Sequence, residues 1–263
     1  MRTLPAVVLG LCLTGLFPDC LLAQAPTLPA NSVVNGASFR PATDPNGAIA
    51  PGSLIAIFGS NLASATQSAL SVPLSTTLLD TSVIFNDIPA PLFFVSAGQV
   101  NAQVPYEVAT GAGTVSVQVK KGSQASAVQA TKIAAVSPGI FTLNQQGTGA
   151  GAILHANTPT VVSTTAPAQP GEFLSIFCTG LGPLKATVKS GDFPPVPPPE
   201  TLSTPLVNIG NLPALVTYSG LAPCCVALYQ VNVQVPQGTP SGVQPLQIII
   251  NGVPSNLVTI VVR

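Results

Sequence analysis

Charge is what this sequence has least of. Of 263 residues, eight are Lys or Arg and eight are Asp or Glu, so the formal net charge is zero. Charged residues make up 6% of the chain, against roughly 25% in an average soluble domain. So few basic side chains exclude the electrostatic footprint of a nucleic-acid binder. The lack of like-charge runs excludes a disordered acidic or basic tail. Tryptophan is absent and aromatics reach only 5%, so a sugar-binding face would lack its usual stacking tool. Long helices are disfavoured as well, because 28 proline and 23 glycine residues are spread through the chain.

Hydrophobic residues are what the chain has in their place, at 46%. Met1-Arg2-Thr3 is a short positive start, Leu4 to Phe17 is mostly apolar, and Ala23-Gln24-Ala25 is a small-x-small cleavage site. This is the layout of a secretory signal peptide over residues 1–25. The apolar run is shorter than the roughly 20 residues that span a bilayer. Phe17-Pro18-Asp19 stand where a lipoprotein signal would need small residues before Cys20. No later stretch is long and apolar enough to span, so the mature chain is expected to be secreted, extracellular or held at the cell envelope.

Self-comparison shows two copies of one pattern. Pro51-Gly52-Ser53-Leu54-Ile55-Ala56-Ile57-Phe58 matches Pro170-Gly171-Glu172-Phe173-Leu174-Ser175-Ile176-Phe177. Ile88-Pro89-Ala90 matches Leu212-Pro213-Ala214, and Gln99-Val100-Asn101-Ala102-Gln103-Val104-Pro105 matches Gln230-Val231-Asn232-Val233-Gln234-Val235-Pro236. The offset grows from 119 to 124 to 131, so the second copy carries insertions. One is Phe193 to Pro199; the other is Leu221 to Tyr229, containing Cys224-Cys225.

The period within each copy is two. Val100, Ala102 and Val104 alternate with Asn101 and Gln103; Thr114 to Lys120 alternates as cleanly. Asn251-Gly252 closes a hairpin after Ile248-Ile249-Ile250. Short strands parted by Gly, Pro and Asn turns predict an all-β protein of two tandem immunoglobulin-like β-sandwich domains, residues 26–142 and 143–263.

Three sets of motifs carry a family resemblance. Asn35-Gly36-Ala37-Ser38-Phe39 and Ala50-Pro51-Gly52-Ser53 look like a family's opening, Pro89-Ala90-Pro91-Leu92 and Ser137-Pro138-Gly139-Ile140-Phe141 like its middle, and Thr179-Gly180-Leu181-Gly182 and Tyr229 to Pro236 like its end. The chain resembles the uncharacterised C-terminal domain of exported Acidobacteria (Solibacter-type) proteins over nearly its whole mature length. Its half-repeats are also similar to IPT/TIG-type immunoglobulin-like domains. The resemblance implies the fold and an exported location, and no assigned activity.

Three cysteines remain after signal removal, and an oxidising compartment favours disulfides. Cys178 follows a strand, while Cys224-Cys225 lie in an insertion absent from copy one. A staple from Cys178 to Cys224 or Cys225 is the favoured pairing, closing a loop worth roughly 3–4 kcal/mol in the chain-entropy model. A vicinal Cys224–Cys225 bond and free thiols are the alternatives.

Sites of chemistry are sparse. His155 is the only histidine and no Gly-x-Ser-x-Gly elbow accompanies it. Glu172 follows Pro170-Gly171 and reads as a solvated turn. The acids are scattered, without the facing pair a glycosidase needs, and no metal-ligand spacing exists. Asp44-Pro45-Asn46-Gly47 reads as a turn. The row Asn101, Gln103, Asn232, Gln234 offers a candidate amide-lined polar face, and Tyr106 and Tyr229 read as packing residues. The expected function is a secreted, non-catalytic interaction or structural module needing no cofactor and no metal, with an extracellular protein or a polysaccharide as partner and no nucleic acid. A carbohydrate-binding module is the alternative, and a hydrolase using His155 a remote one.

Overall fold

The computed structural model describes residues 24–263 except Ala112. The expected signal peptide, residues 1–25, therefore lies almost wholly outside the described residues. The first half contributes β1 (Val33–Asn35), β2 (Leu54–Phe58), β3 (Gln67–Ser68), β4 (Thr77–Leu78), β5 (Thr81–Phe85), β6 (Ile88–Pro89), β7 (Leu92–Val95), β8 (Gln99–Gln103), β9 (Thr114–Lys121), β10 (Gln124–Ala125) and β11 (Gln129–Lys132). The second contributes β12 (Gly139–Ile140), β13 (Ile153–His155), β14 (Phe173–Thr179), β15 (Leu206–Ile209), β16 (Leu212–Leu221), β17 (Tyr229–Gln234), β18 (Gly242–Ile250), β19 (Val253–Pro254) and β20 (Val258–Val262). No helix occurs among the described residues, so none is long and apolar enough to cross a membrane.

In the first half, a sheet ordered β1-β2-β8-β7-β3 faces one ordered β10-β9-β5-β4. Their inward residues, among them Ile55, Ile57, Val83, Phe85, Val100 and Val117, form one buried cluster. The second half repeats the plan as a continuous path β12-β14-β17-β16-β15-β18-β19 around a core including Leu174, Ile176, Ile209, Tyr229, Val231 and Ile248. This is the expected all-β architecture of tandem immunoglobulin-like sandwiches. One residue explains the difference in continuity. Pro91 stands where the second copy has Leu215, and it parts β6 from β7, whereas β16 runs unbroken for 10 residues. Proline removes a ladder donor, which weakens pairing at that position.

The duplication extends to register and side-chain bonding. Val33 pairs with Ile57 as Ile153 pairs with Ile176. The ladder slips between Leu92 and Phe94 in one copy and between Val216 and Tyr218 in the other, the same place in each repeat. Ser126 accepts from Val119 N (3.1 Å) as Ser255 accepts from Ile248 N (3.0 Å). The carboxamide of Gln118 reaches Ser126 O (2.9 Å) as that of Gln247 reaches Ser255 O (3.0 Å).

The two halves are tied by two loops of the second copy and by Arg40 of the first. Leu74 N donates to Gly191 O (2.8 Å), Gly191 N donates to Gln103 Oε1 (2.7 Å), and Tyr106 N donates to Ser190 Oγ (2.9 Å). Val226 and Ala227, within the second insertion, bury with Leu74 against Leu54 and Phe93. On the opposite copy, Arg40 donates to Pro254 O and Ser255 O, each at 2.7 Å.

Candidate functional site: a neutral groove between the halves

The outward residues of β2 and β8 form the floor of a groove of about 690 Å3. Alternation puts Ile55, Ile57, Val100 and Ala102 in the core and leaves Leu54, Ala56, Phe58, Gln99 and Asn101 on the groove side. The turn after β1 makes one wall. Asn35, buried, donates through Nδ2 to Ser137 O (2.8 Å) and accepts at Oδ1 from Ala37 N (2.9 Å) and Ser38 N (3.0 Å). That Asx turn carries Phe39, in the left-handed region at φ 53°, over β2. Its ring stands 6.3 Å from that of Phe58, tilted by 39°.

The segment after β12 makes the other wall, with Phe141, Thr142, Asn144, Gln145 and Gln146. Two devices press it onto the first half. Gly147 (φ +71°) passes so close to the Ser38 carbonyl that a Cβ there would collide with it. Asn256, 5% exposed, accepts from Ile140 N (2.8 Å) and donates to Ile140 O (2.9 Å) and Gly147 O (2.8 Å). No charged side chain lines the groove. Gln99 Nε2 donates to Asn101 Oδ1 (2.8 Å). Among the described residues, Asn101 Nδ2 and the carboxamides of Gln145 and Gln146 have no protein partner and face the groove as donors and acceptors.

The four amides of the candidate polar face have different surroundings. Asn101 lines the groove. Gln103 points away from its own core, as alternation requires, but the second half covers it: it is 1% exposed and receives Gly191 N. Asn232 lies on the equivalent outer face of the second sheet, bonded to Ser175 (3.0 Å) and Gln230 (2.8 Å). Gln234 donates to Gly171 O (2.9 Å).

The favoured cysteine pairing needs correction. Cys224 and Cys225 are bonded to each other, and Cys178 is free. Cys178 is on the inward side of β14, wholly buried in the second core, and burial pushes its thiol far above the usual range. The vicinal pair sits instead at the surface beside Leu70, Phe93 and Phe193. The bond between Cys224 and Cys225 leaves Cys178 without either of them as a partner.

His155 and Glu172 also differ from expectation. Glu172 is not a free turn residue: its carboxylate meets His155 Nδ1 and accepts from Gln169 N (2.9 Å). His155 Nε2 faces Ala166 O at 3.1 Å. Burial acts to lower the pKa of His155, but the Glu172 carboxylate and the Ala166 carbonyl outweigh it and hold the value above 6.5. Both ring nitrogens face acceptors, so neither is free to take a proton from a nucleophile.

Sequence reasoning overlooked Phe39, Phe58 and Phe141. One signal was present. Phe58 and Phe177 recur at the same outward position of the first repeated block, where a solvated strand face would carry a polar residue.

Residues 39–134 match the IPT/TIG domain. The matched IPT/TIG stretch holds β2 to β11, and so the floor of the groove and Phe39 of one wall. Comparison with curated proteins gave no match. Similar solved structures include SGBP-B from the mixed-linkage glucan utilization locus of Bacteroides ovatus, solved with a mixed-linkage heptasaccharide. It is 11% identical, with 82% of this chain and 42% of that one covered, at a TM-score of 0.32. The plexin A4 extracellular region is 10% identical, covering 94% of this chain and 16% of that one, at 0.26. The titin I9–I11 tandem is 7% identical, covering 81% and 61%, at 0.23. This chain thus spans less than half of the SGBP-B and plexin chains.

Proposed function

We propose that this chain is an exported, non-catalytic binding module, made of tandem units over residues 26–142 and 143–263, that holds an uncharged ligand in the groove between β2, β8 and the 141–146 segment. The observation that carries this reading is the lining: three phenylalanine side chains, the unpaired carboxamides of Gln145 and Gln146 and the open Asn101 Nδ2, with no charged group. Pockets that bind ligands are typically apolar and aromatic with a few polar groups that set orientation. The walls are held by buried hydrogen bonds from Asn35 and Asn256, so the groove exists before the ligand arrives. A non-catalytic role is supported by His155, whose nitrogens are both committed.

The test is binding of the labelled exported chain to intact cell envelopes, with and without Phe58→Ala and Asn101→Ala combined. Both side chains are partly exposed, so the variant should fold normally, which its melting temperature checks. A loss of affinity of about tenfold or more is expected, since a buried aromatic contact and a hydrogen bond together supply roughly 2 kcal/mol. Undiminished binding by the folded double variant rejects the groove as the site.

A further inference from the structure

We infer that the ligand is a neutral polysaccharide long enough to touch both halves, with a second subsite on the outer face of the second sheet. The inference rests on the groove being a binding site and names what fills it.

The floor decides between a peptide and a sugar chain. A peptide recognised through its backbone adds itself to a sheet edge. Here β2 lies between β1 and β8, and β8 between β2 and β7. Their backbone groups are taken on both sides, so at the floor the ligand meets side chains. Those side chains are the Phe58 ring, the aliphatic Leu54 and Ala56, and the carboxamides of Gln99 and Asn101, with Phe39 and Phe141 on the walls, each amide offering donors and acceptors. A neutral sugar presents the matching surfaces: C–H faces, and hydroxyls that both donate and accept. With no charge in the groove, a uronic acid or a charged peptide would leave water without a counter-ion.

The repeat supplies the second subsite. Gln230 Nε2 donates to Asn232 Oδ1 at 2.8 Å, the same bond at the same distance as Gln99 to Asn101. Phe177 stands in register with Gln230 as Phe58 does with Gln99. Ser175, in place of Ala56, adds a hydroxyl bonded to Asn232. The two subsites adjoin: Phe141, in the groove wall, donates its N–H to Phe177 O at 3.1 Å. From Phe141 to Gln230 is two strand spacings, on the order of 10 Å. A ligand that repeats its own chemistry along its length fits two copies of one amide–phenylalanine pair, and a linked second contact raises affinity without new chemistry at either.

The experiment is affinity electrophoresis of the exported chain in gels containing mixed-linkage β-glucan, galactomannan or arabinoxylan, followed by titration with oligosaccharides of increasing length cut from the polymer that retards it. Retardation by at least one polymer is expected, with affinity rising tenfold or more from disaccharide to hexasaccharide. Asn101→Ala should weaken every length. Phe177→Ala with Asn232→Ala should weaken only the longer ones, by about the factor that length added. Length-independent affinity, or an unaltered hexasaccharide titration in the second-sheet variant, overturns the second subsite. If no polymer retards the chain while Phe58→Ala with Asn101→Ala still abolishes envelope binding, the groove stands and the polysaccharide is wrong. If that variant keeps envelope binding, the groove reading itself has failed.

Discussion

Asn256→Ala is the sharpest test of how the groove is built. The carboxamide makes three buried hydrogen bonds, to both backbone groups of Ile140 and to Gly147 O. Each contributes about 1 kcal/mol net, and the Ile140 N–H is left buried and unpaired when they go. The loss should be about 3 kcal/mol. The repeat provides a control for backbone strain: the matching residue of the first copy is Ala127, which follows Ser126 as Asn256 follows Ser255. Alanine therefore suits this turn, and any destabilisation comes from the missing bonds. The assay exploits where the tyrosines lie. Tyr229 is in the second core, Tyr106 packs against it, and Tyr218 is on β16. With tryptophan absent, intrinsic emission follows the second half and its contact with the first at Tyr106. For an m-value of roughly 1–2 kcal/mol/M, the urea midpoint should fall by about 2 M. A shift below about 0.5 M at unchanged m would refute the assignment of Asn256 as the anchor of the wall.

His155 gives a pH dependence of defined sign. Its folded pKa is raised, so the stabilisation is complete below the unfolded value near 6.5 and disappears as pH rises through the folded value. Urea midpoints should therefore decline across that window, and His155→Gln should flatten the decline; an NMR titration placing the folded pKa at or below 6.5 would defeat this. Native alkylation should leave Cys178 unlabelled, because its thiol is fully buried and held protonated. After denaturation without reductant it should be the one thiol labelled among Cys178, Cys224 and Cys225, and a peptide map joining Cys178 to Cys224 or Cys225 would reverse the correction made above.

The strands were legible because a half-buried strand writes its burial directly as alternation, as in Thr114–Lys121 and Tyr229–Gln234. The duplication was legible for the same reason: Gly52 and Gly171 both need positive φ, at 75° and 85°, and both precede an inward-facing aliphatic pattern. The groove was not. Alternation says that Gln103 leaves its own core, but not that a distant segment bearing Gly191 will cover it. Nor does a local pattern bring Phe141 opposite Phe58, since the approach depends on Gly147 meeting Ser38 across more than a hundred residues of chain. Phe39 was hidden by its own conformation, because a left-handed phenylalanine breaks the propensity rules that a sequence reading uses. The cysteines misled because adjacency in a loop said nothing about which face Cys178 would take.

What separates the copies is where the second has extra chain. The second insertion, at Val226–Ala227, and the loop just before the first, at Ser190–Gly191, grip the first sandwich through Leu74, Gln103 and Tyr106. Arg40 grips back across the other side, with both terminal nitrogens on backbone carbonyls. Two sandwiches joined by a junction alone would swing, because interfaces within a chain are commonly small and polar. A groove whose floor belongs to one sandwich and whose wall belongs to the other could then bind only after losing that freedom. The contacts of these two loops and of Arg40 oppose that freedom. The neutral ligand proposed for the groove, with no ion pair to offset an ordering cost, would require that rigidity more than a charged one.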